Sequence, residues 1–125
     1  MPATDIILEA RELSREFDGV KALDAFSFQL HKGEVLGLLG ANGAGKTTAM
    51  NMLLGLTTPT GGSIHAFGMD LAKHRIEILK RTNFSSAYTA LPGNLLVWQN
   101  LLVFARIYGV PNAKQKINDL LELFE

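Results

Sequence analysis

The stretch that decides the fold of this chain is Gly40-Ala41-Asn42-Gly43-Ala44-Gly45-Lys46-Thr47-Thr48. It fits the pattern G-x-x-x-x-G-K-[ST], in which each residue type has a physical role. Glycine permits backbone conformations that a Cβ forbids, so the N–H groups of the loop point into one concave anion site. A helix that begins near Gly45 adds the positive end of its dipole. Lys46 supplies a positive charge for the outer phosphates, and the Thr47 hydroxyl suits a ligand position on Mg²⁺.

The residues on both sides of this stretch give it the context that a phosphate-binding loop (P-loop) requires. Residues 34–39 are an apolar run that predicts a buried strand of a parallel sheet. Residues 46–54 predict a helix, and Gly55 predicts its C-terminal stop. An ordinary glycine-rich turn before a helix would explain neither Lys46 nor Thr47. We therefore interpret residues 40–48 as a P-loop that binds the phosphates of a nucleotide.

Composition narrows the class of protein. The 125 residues are 47% hydrophobic and 19% charged, which suits one globular domain with a core. Twelve basic residues balance 12 acidic ones, so charge gives no support for nucleic acid as a partner. The absence of cysteine excludes disulfides and thiolate metal sites. The N-terminus lacks the form of a signal peptide, and the longest strictly apolar run is far below the ~20 residues that span a bilayer. We expect a protein that is soluble, or bound to a membrane through a partner.

Apolar periodicity predicts further elements around the loop. The predicted strands are residues 6–10 and 25–30, which look antiparallel and precede the loop, and residues 62–68 and 82–88, which follow it. The predicted helices are residues 71–81, with Ile76 and Leu79 facing inwards, residues 95–108, mostly buried, and residues 112–125. The last helical stripe reaches Glu125 without a cap, so we expect the sequence to stop inside an element.

The order of these features resembles the N-terminal half of the ATP-binding cassette (ABC) transporter ATPases. The resemblance covers nearly the whole chain, and the sequence is most similar to those of bacterial exporter subunits. It rests on residues 17–24, 33–40 and 56–63, on the P-loop, and on Gln99-Asn100-Leu101, which resembles the family's Glu-Asn-Leu. It implies an α/β fold: a partial P-loop NTPase core with an N-terminal antiparallel β portion and the start of a helical subdomain. Residues 1–125 would then be the N-terminal part of a single nucleotide-binding domain, truncated at its C-terminus.

The resemblance also implies a function, which is an ATPase subunit that couples ATP binding and hydrolysis to transport. The similarity to exporter subunits implies that the direction is export. ATP and Mg²⁺ would be its cofactors. Its partners would be an integral membrane permease subunit and a second ATPase subunit, and it would lie in the cytoplasm at the inner face of the cell membrane. Lys46 would be catalytic and Thr47 a metal ligand. Phe17 occupies the position at which the family stacks an aromatic ring on adenine, a contact that needs only a π-face. A core aromatic at the end of a strand is the alternative reading of Phe17.

Two departures from the family pattern qualify this interpretation. The family's Q-loop glutamine, which approaches Mg²⁺ and the attacking water, should lie in residues 84–88, but no glutamine is there. Ala87 is the best-aligned residue and Ser86 the next. The family's Leu-Ser-Gly-Gly-Gln signature, its acidic Walker B strand and its switch histidine have no substitute in this sequence. We therefore expect the 125-residue chain alone to be inactive as an ATPase.

Three other functions remain open at this point. An ABC-like protein of translation or DNA repair would usually carry insertions or a basic surface, and neither is present. A nucleotide-binding fragment that does not hydrolyse ATP would suit the missing acidic strand. A P-loop kinase or GTPase is the third. Adenine stacking by Phe17 and the strands that precede the P-loop argue against it.

Overall fold

The computed structural model describes residues 5–86 and 90–124. The chain divides into two compact units, of which the first ends at Asn83 and the second begins at Phe84. The P-loop lies in the first unit. The two units are taken in turn.

An antiparallel sheet of four strands forms the body of the first unit. The strands follow the spatial order β2-β1-β3-β4 and comprise β1 (Ile6–Phe17), β2 (Val20–His31), β3 (Gly61–Ala66) and β4 (Met69–Asp70). The predicted antiparallel strands at residues 6–10 and 25–30 are confirmed within β1 and β2, although both strands are longer than predicted. The strand predicted at residues 62–68 is confirmed as β3, with bounds shifted by one or two residues.

A two-residue turn explains why β1 and β2 extend so far. Asp18 and Gly19 both have positive φ, 47° and 81°. Positive φ at both central residues defines a type I′ turn, whose twist matches that of the flanking strands, and Asp-Gly is one of its preferred pairs. Phe17 therefore pairs directly with Val20 at the tip of the hairpin.

Helix α1 (Lys46–Leu53) follows the P-loop and confirms the helix predicted there. Its C-terminal end is a Schellman motif, in which Leu56 N–H donates to the Asn51 carbonyl at 2.8 Å and Gly55 N–H donates to the Met52 carbonyl at 3.0 Å. Gly55 has a φ of 65°, so it is the predicted stop. Met52 is fully buried and attaches α1 to the core, which otherwise consists of Ala10, Leu13, Ile64, Ala66, Leu71 and Ile78.

The strand predicted at residues 34–39 is wrong. The structure has no helix or strand between residues 32 and 45, and Val35 and Leu39 are 95% and 93% exposed. A strand needs a neighbour that accepts its backbone hydrogen bonds. In the described residues, the sheet consists of β1 to β4, and none of them pairs with this run. An apolar run indicates that a segment tends to be buried, but it does not show that a neighbouring strand is present to pair with it.

The predictions for residues 71–88 are only partly right. Helix α2 (Arg75–Leu79) is shorter than the predicted helix, and Ile78 faces the core whereas Ile76 is 68% exposed. The helix packs the face that carries Ile78 against the core, and periodicity over so short a helix does not identify that face. No strand forms over residues 82–86, and residues 87–89 lie outside the described residues.

Two helices make up the second unit, α3 (Val97–Ile107) and α4 (Ala113–Phe124), and they pack against each other. They confirm the predicted helices at residues 95–108 and 112–125. The prediction that the first is mostly buried is wrong, because only Asn100 and Ala105 of α3 are buried. Within the part of this unit that the structure describes, one helix covers only one side of the other, so Val97 and Ile107 remain 65% and 70% exposed.

Candidate nucleotide-binding site

The P-loop takes its shape from two glycines in left-handed conformation. Gly43 and Gly45 both have a φ of 83°, and Gly45 is the N-cap of α1. A Cβ on Gly45 would lie 2.3 Å from the Ala22 carbonyl oxygen, so only glycine fits there. A Cβ on Gly43 would meet nothing within 4 Å, so its requirement is conformational alone. The backbone of the P-loop therefore lies directly against strand β2 at Gly45.

A pocket of about 250 Å³ opens at the N-terminus of α1. It is lined by Ala22, Asn42, Gly43, Gly45, Lys46, Thr47 and Thr48. The first turn of α1 contains no acidic residue, so the positive end of the helix dipole is not neutralised there. The pocket therefore favours an anion. The structure brings six of the predicted phosphate-binding residues together on its wall.

The other predicted loop residues, Gly40, Ala41 and Ala44, are not part of the pocket lining and make contacts within the loop. Ala44 N–H donates to the Ala41 carbonyl at 3.2 Å, which closes a turn. Lys46 Nζ donates to the carbonyl oxygens of Gly40 and Ala41, at 2.6 and 2.7 Å. An ammonium group has three donors, so one N–H of Lys46 is left for a phosphate oxygen. These bonds hold the charge of Lys46 at the loop.

The pocket contains a hydroxyl at the position predicted for a Mg²⁺ ligand. Thr47 is exposed, lines the pocket and carries the hydroxyl that suits the metal. No carboxylate belongs to the pocket lining, and no group of three His, Cys, Asp or Glu residues within residues 5–86 and 90–124 could hold a metal ion. Mg²⁺ is commonly held by substrate phosphates together with one or two protein oxygens. The residues present therefore fit Mg²⁺ that arrives with a nucleotide, with Thr47 as one ligand.

Phe17 lies at the tip of the hairpin and is 45% exposed. This exposure argues against its alternative reading as a core aromatic. Its strand partner is Val20, and Ala22 on the pocket wall lies two residues further along β2. At about 3.3 Å per residue, the tip is roughly 7 Å along the strand from the pocket. The guanidinium carbon of Arg15 lies 4.4 Å from the centre of the Phe17 ring.

Sequence reasoning missed two residues of this region. Ala22 lines the pocket, and a Cβ on Gly45 would meet its carbonyl oxygen. No signal in the sequence indicates this contact, because the two residues lie on different elements. Arg15 was not singled out, although it stands two residues before the aromatic and such residues share a face of a strand. The prediction that Ala87 replaces the Q-loop glutamine lies outside the described residues.

The P-loop and the helix α1 that follows it define a class of protein, the P-loop nucleotide-binding proteins. The particular family follows from comparison with known proteins. The family profile described as ABC transporter matches residues 23–125. The chain belongs to this family.

Individual relatives agree with the family. The chain is 38% identical over 122 residues to the probable multidrug ABC transporter ATP-binding protein YbhF of Escherichia coli (strain K12), covering 96% of this chain and 21% of that protein. It is 37% identical over 117 residues to the bacitracin transport ATP-binding protein BcrA of Bacillus licheniformis, covering 94% and 38%. The chain therefore spans between about a fifth and two-fifths of the length of these relatives.

Solved structures give the same result. The ATP binding subunit of an ABC transporter superposes with a TM-score of 0.75 at 29% identity, over 86% of this chain and 45% of that one. A nucleotide-free ATP-binding cassette from an ABC transporter gives a TM-score of 0.51 at 32% identity, over 53% and 26%. In the part of the chain that the structure describes, no helix has the length and apolar character needed to cross a bilayer.

Proposed function

We propose that this chain is the nucleotide-binding part of an ABC ATPase subunit that uses ATP to drive export through a separate membrane protein. The observation that carries the proposal is the pocket at the N-terminus of α1, where left-handed glycines and Lys46 face one anion-binding space. The names of the relatives support transport, since they describe multidrug and bacitracin transport, and one name, the Nod factor export ATP-binding protein I, supports export in particular.

In this proposal the P-loop binds the triphosphate of ATP. The backbone N–H groups of the P-loop, apart from that of Ala44, and the helix dipole face the phosphates, and Lys46 supplies the charge for the outer ones. Thr47 contributes one ligand to Mg²⁺, which neutralises phosphate charge when it is bound. Phe17 stacks on the adenine. Because phosphoryl transfer depends on positioning and charge, these groups act mainly by holding the nucleotide in place.

The partners and the location belong to the same proposal. The subunit binds an integral membrane permease subunit and a second ATPase subunit, and lies in the cytoplasm at the inner face of the cell membrane. Nucleic acid is not among its partners, since the net charge is zero. Cosedimentation of the tagged protein with membranes would support this assignment. Cosedimentation with ribosomes would favour the translation-type alternative and contradict it.

Replacement of Lys46 tests the nucleotide site. Lys46→Ala removes a charged donor, and hydrogen bonds to charged groups contribute ~1.5–3 kcal/mol each, so ATP affinity should fall about 10- to 100-fold. Isothermal calorimetry of wild type and mutant with Mg²⁺ and ATP measures this loss. Lys73→Ala removes the same charge from an exposed position between β4 and α2, and it should leave binding unchanged. Equal affinities of wild type and Lys46→Ala would overturn the assignment of the P-loop.

A further inference from the structure

Arg15 and Phe17 form a stacked pair on strand β1. They are two residues apart, so their side chains leave the same face of the strand. The guanidinium carbon of Arg15 lies 4.4 Å from the centre of the Phe17 ring, within the ~6 Å range of a cation–π contact. An aromatic ring has two faces, and this contact occupies one of them. Because Phe17 is 45% exposed, the ring still presents surface to a ligand.

The guanidinium is held in place by the loop before β3. Arg15 Nη1 donates to the Thr58 carbonyl oxygen at 2.7 Å. Two residues further along, Thr60 N–H donates to the Ser14 carbonyl oxygen at 2.9 Å, which attaches the same loop to the end of β1. Arg15 is therefore fixed at one nitrogen while its planar group lies over the ring.

In the described residues, no acidic side chain competes with the Phe17 ring for the charge of Arg15. Its buried Nε has no hydrogen-bond partner in residues 5–86 and 90–124, and no carboxylate of this part of the chain forms an ion pair with Arg15. A charge that is not paired with a carboxylate interacts more strongly with the π-face of a neighbouring ring. The Phe17 ring is thus the main partner of this face of the guanidinium.

We propose that Arg15 is a positioning residue for the base of the nucleotide: it covers one face of the Phe17 ring and holds that ring so that the opposite face meets the adenine. The proposal rests on the proposed function. A ring that is held before binding loses less rotational freedom when the base arrives, and this preorganisation raises affinity. Arginine suits the role better than lysine, since its planar group can stack and be anchored by Thr58 at the same time.

The test compares two ligands that differ only in the presence of the nucleoside. ATP and inorganic triphosphate are titrated by calorimetry, with Mg²⁺, into wild type, Arg15→Ala, Phe17→Leu and the double mutant. Arg15→Ala should weaken ATP binding about three- to fivefold, the size of an exposed cation–π contact, and leave triphosphate binding unchanged. In the Phe17→Leu background, Arg15→Ala should have no further effect on ATP, because the ring through which it acts is gone.

Two further variants separate positioning from charge. Lys21→Ala removes the same charge from the same hairpin, but the Lys21 ammonium contacts Asp24 at 3.0 Å, so ATP binding should not change. Arg15→Lys keeps the charge and most of the stem, and it should still weaken ATP binding without affecting triphosphate. It also serves if Arg15→Ala fails to fold, as circular dichroism would show.

Three results would overturn the proposal and leave the proposed function standing. They are equal losses of ATP and triphosphate in Arg15→Ala, additive losses in the double mutant, and wild-type ATP affinity in Arg15→Lys. If the wild type shows no ATP binding that depends on Lys46, the proposed function fails and this proposal fails with it.

Discussion

Among single residues, Phe17 is the one proposed to bind the base of the nucleotide. Base–aromatic stacking contributes about 1–3 kcal/mol, so Phe17→Ala should weaken ATP binding about tenfold or more. Phe17→Tyr and Phe17→Trp should be tolerated, because stacking needs only a π-face. Calorimetry with ATP and with inorganic triphosphate measures the effect. If Phe17→Ala lowers the affinity for both ligands equally, Phe17 acts through folding and does not stack.

The glycines of the P-loop illustrate what sequence can and cannot establish about single residues. The pattern of the loop predicted that its glycines take conformations that a Cβ forbids, and Gly43 and Gly45 are the two that do so. The steric requirement at Gly45 was not predictable, because the atom that a Cβ would meet is the carbonyl oxygen of Ala22 on another element. The same limit applies to the contact between Arg15 and Thr58, which are 43 residues apart.

Among the secondary-structure elements, the hairpin of β1 and β2 contains a matched pair of β-bulges. Glu12 and Ala25 both have a φ of 47°, and the register shifts beside each of them. Each bulge frees a backbone N–H, and a serine on the opposite strand accepts it. Glu12 N–H donates to Ser27 Oγ, and Ala25 N–H donates to Ser14 Oγ, both at 2.8 Å. Bulges increase local twist, so this pair helps to aim the hairpin tip that carries Phe17.

Removal of either serine hydroxyl should destabilise the hairpin. Ser14→Ala or Ser27→Ala leaves a backbone N–H without its partner, and a hydrogen bond of this type contributes about 0.5–1.5 kcal/mol to the free energy of unfolding. Urea denaturation followed by circular dichroism measures the loss. Ser27→Thr keeps the hydroxyl and is the matched control, which should remain near the wild type. Wild-type stability in both alanine variants would show that water replaces the two hydroxyls.

Glu9 should make the stability of the sheet depend on pH. Its carboxylate accepts hydrogen bonds from Arg11 on its own strand at 2.7 Å and from Gln29 on β2 at 2.6 Å, and it faces His65 on β3. The hydrogen bond from Arg11, followed by that from Gln29, lowers the pKa of Glu9 below its ordinary value of 4.5. A carboxyl with a lowered pKa in the folded state stabilises the fold above its unfolded pKa, and this contribution is lost as the pH falls through the folded value.

The free energy of unfolding should therefore decrease as the pH is lowered below 4.5. Urea denaturation at a series of pH values measures the slope. Glu9→Gln should reduce the slope, because the variant cannot be protonated, and Arg11→Ala should also reduce it, because it removes the largest cause of the lowered pKa. An unchanged slope in Glu9→Gln would assign the acid sensitivity to other carboxylates.

Helices were easier to predict than strand pairing and burial. Helix α1 and its stop at Gly55 depend on residues close in sequence, and both were predicted. The strand over residues 34–39 was predicted wrongly, since a strand exists only where a neighbour pairs with it. The burial of α3 was overestimated for a related reason. Its apolar residues indicate that some surface should cover them, but periodicity does not state which surface is present.

Exposed apolar surface is the main feature of the first unit when it is considered as a whole. Val35 and Leu39 lie almost fully exposed just before the P-loop, and Leu36 is 47% exposed. Exposed apolar side chains this close together in the sequence favour association between molecules. Binding and activity of variants should therefore be compared at one protein concentration, so that differences in association are not mistaken for differences in the nucleotide site.

The whole chain, as a catalyst, should be inactive. Phosphoryl transfer in P-loop NTPases requires an acidic partner for Mg²⁺ and a residue that orients the attacking water, in addition to the phosphate-binding loop. In the described residues, no Asp or Glu lines the pocket beside Lys46 and Thr47. The 125-residue chain should therefore release phosphate from ATP no faster than the background reaction, even where it binds the nucleotide. A phosphate-release assay with and without Mg²⁺ measures this rate.

Lys46→Ala provides the control for this assay, because an ATPase that contaminates the preparation would not respond to the substitution. Wild type and variant should give the same background rate. A monodisperse preparation of the wild type with Mg²⁺-dependent activity that Lys46→Ala removes would contradict the prediction. It would mean that an acidic residue of the first unit outside the pocket lining, such as Asp70 or Glu77, reaches the bound metal. Asp70→Asn and Glu77→Gln would then identify which carboxylate completes the site. Only replacement of the carboxylate that binds Mg²⁺ should abolish the activity.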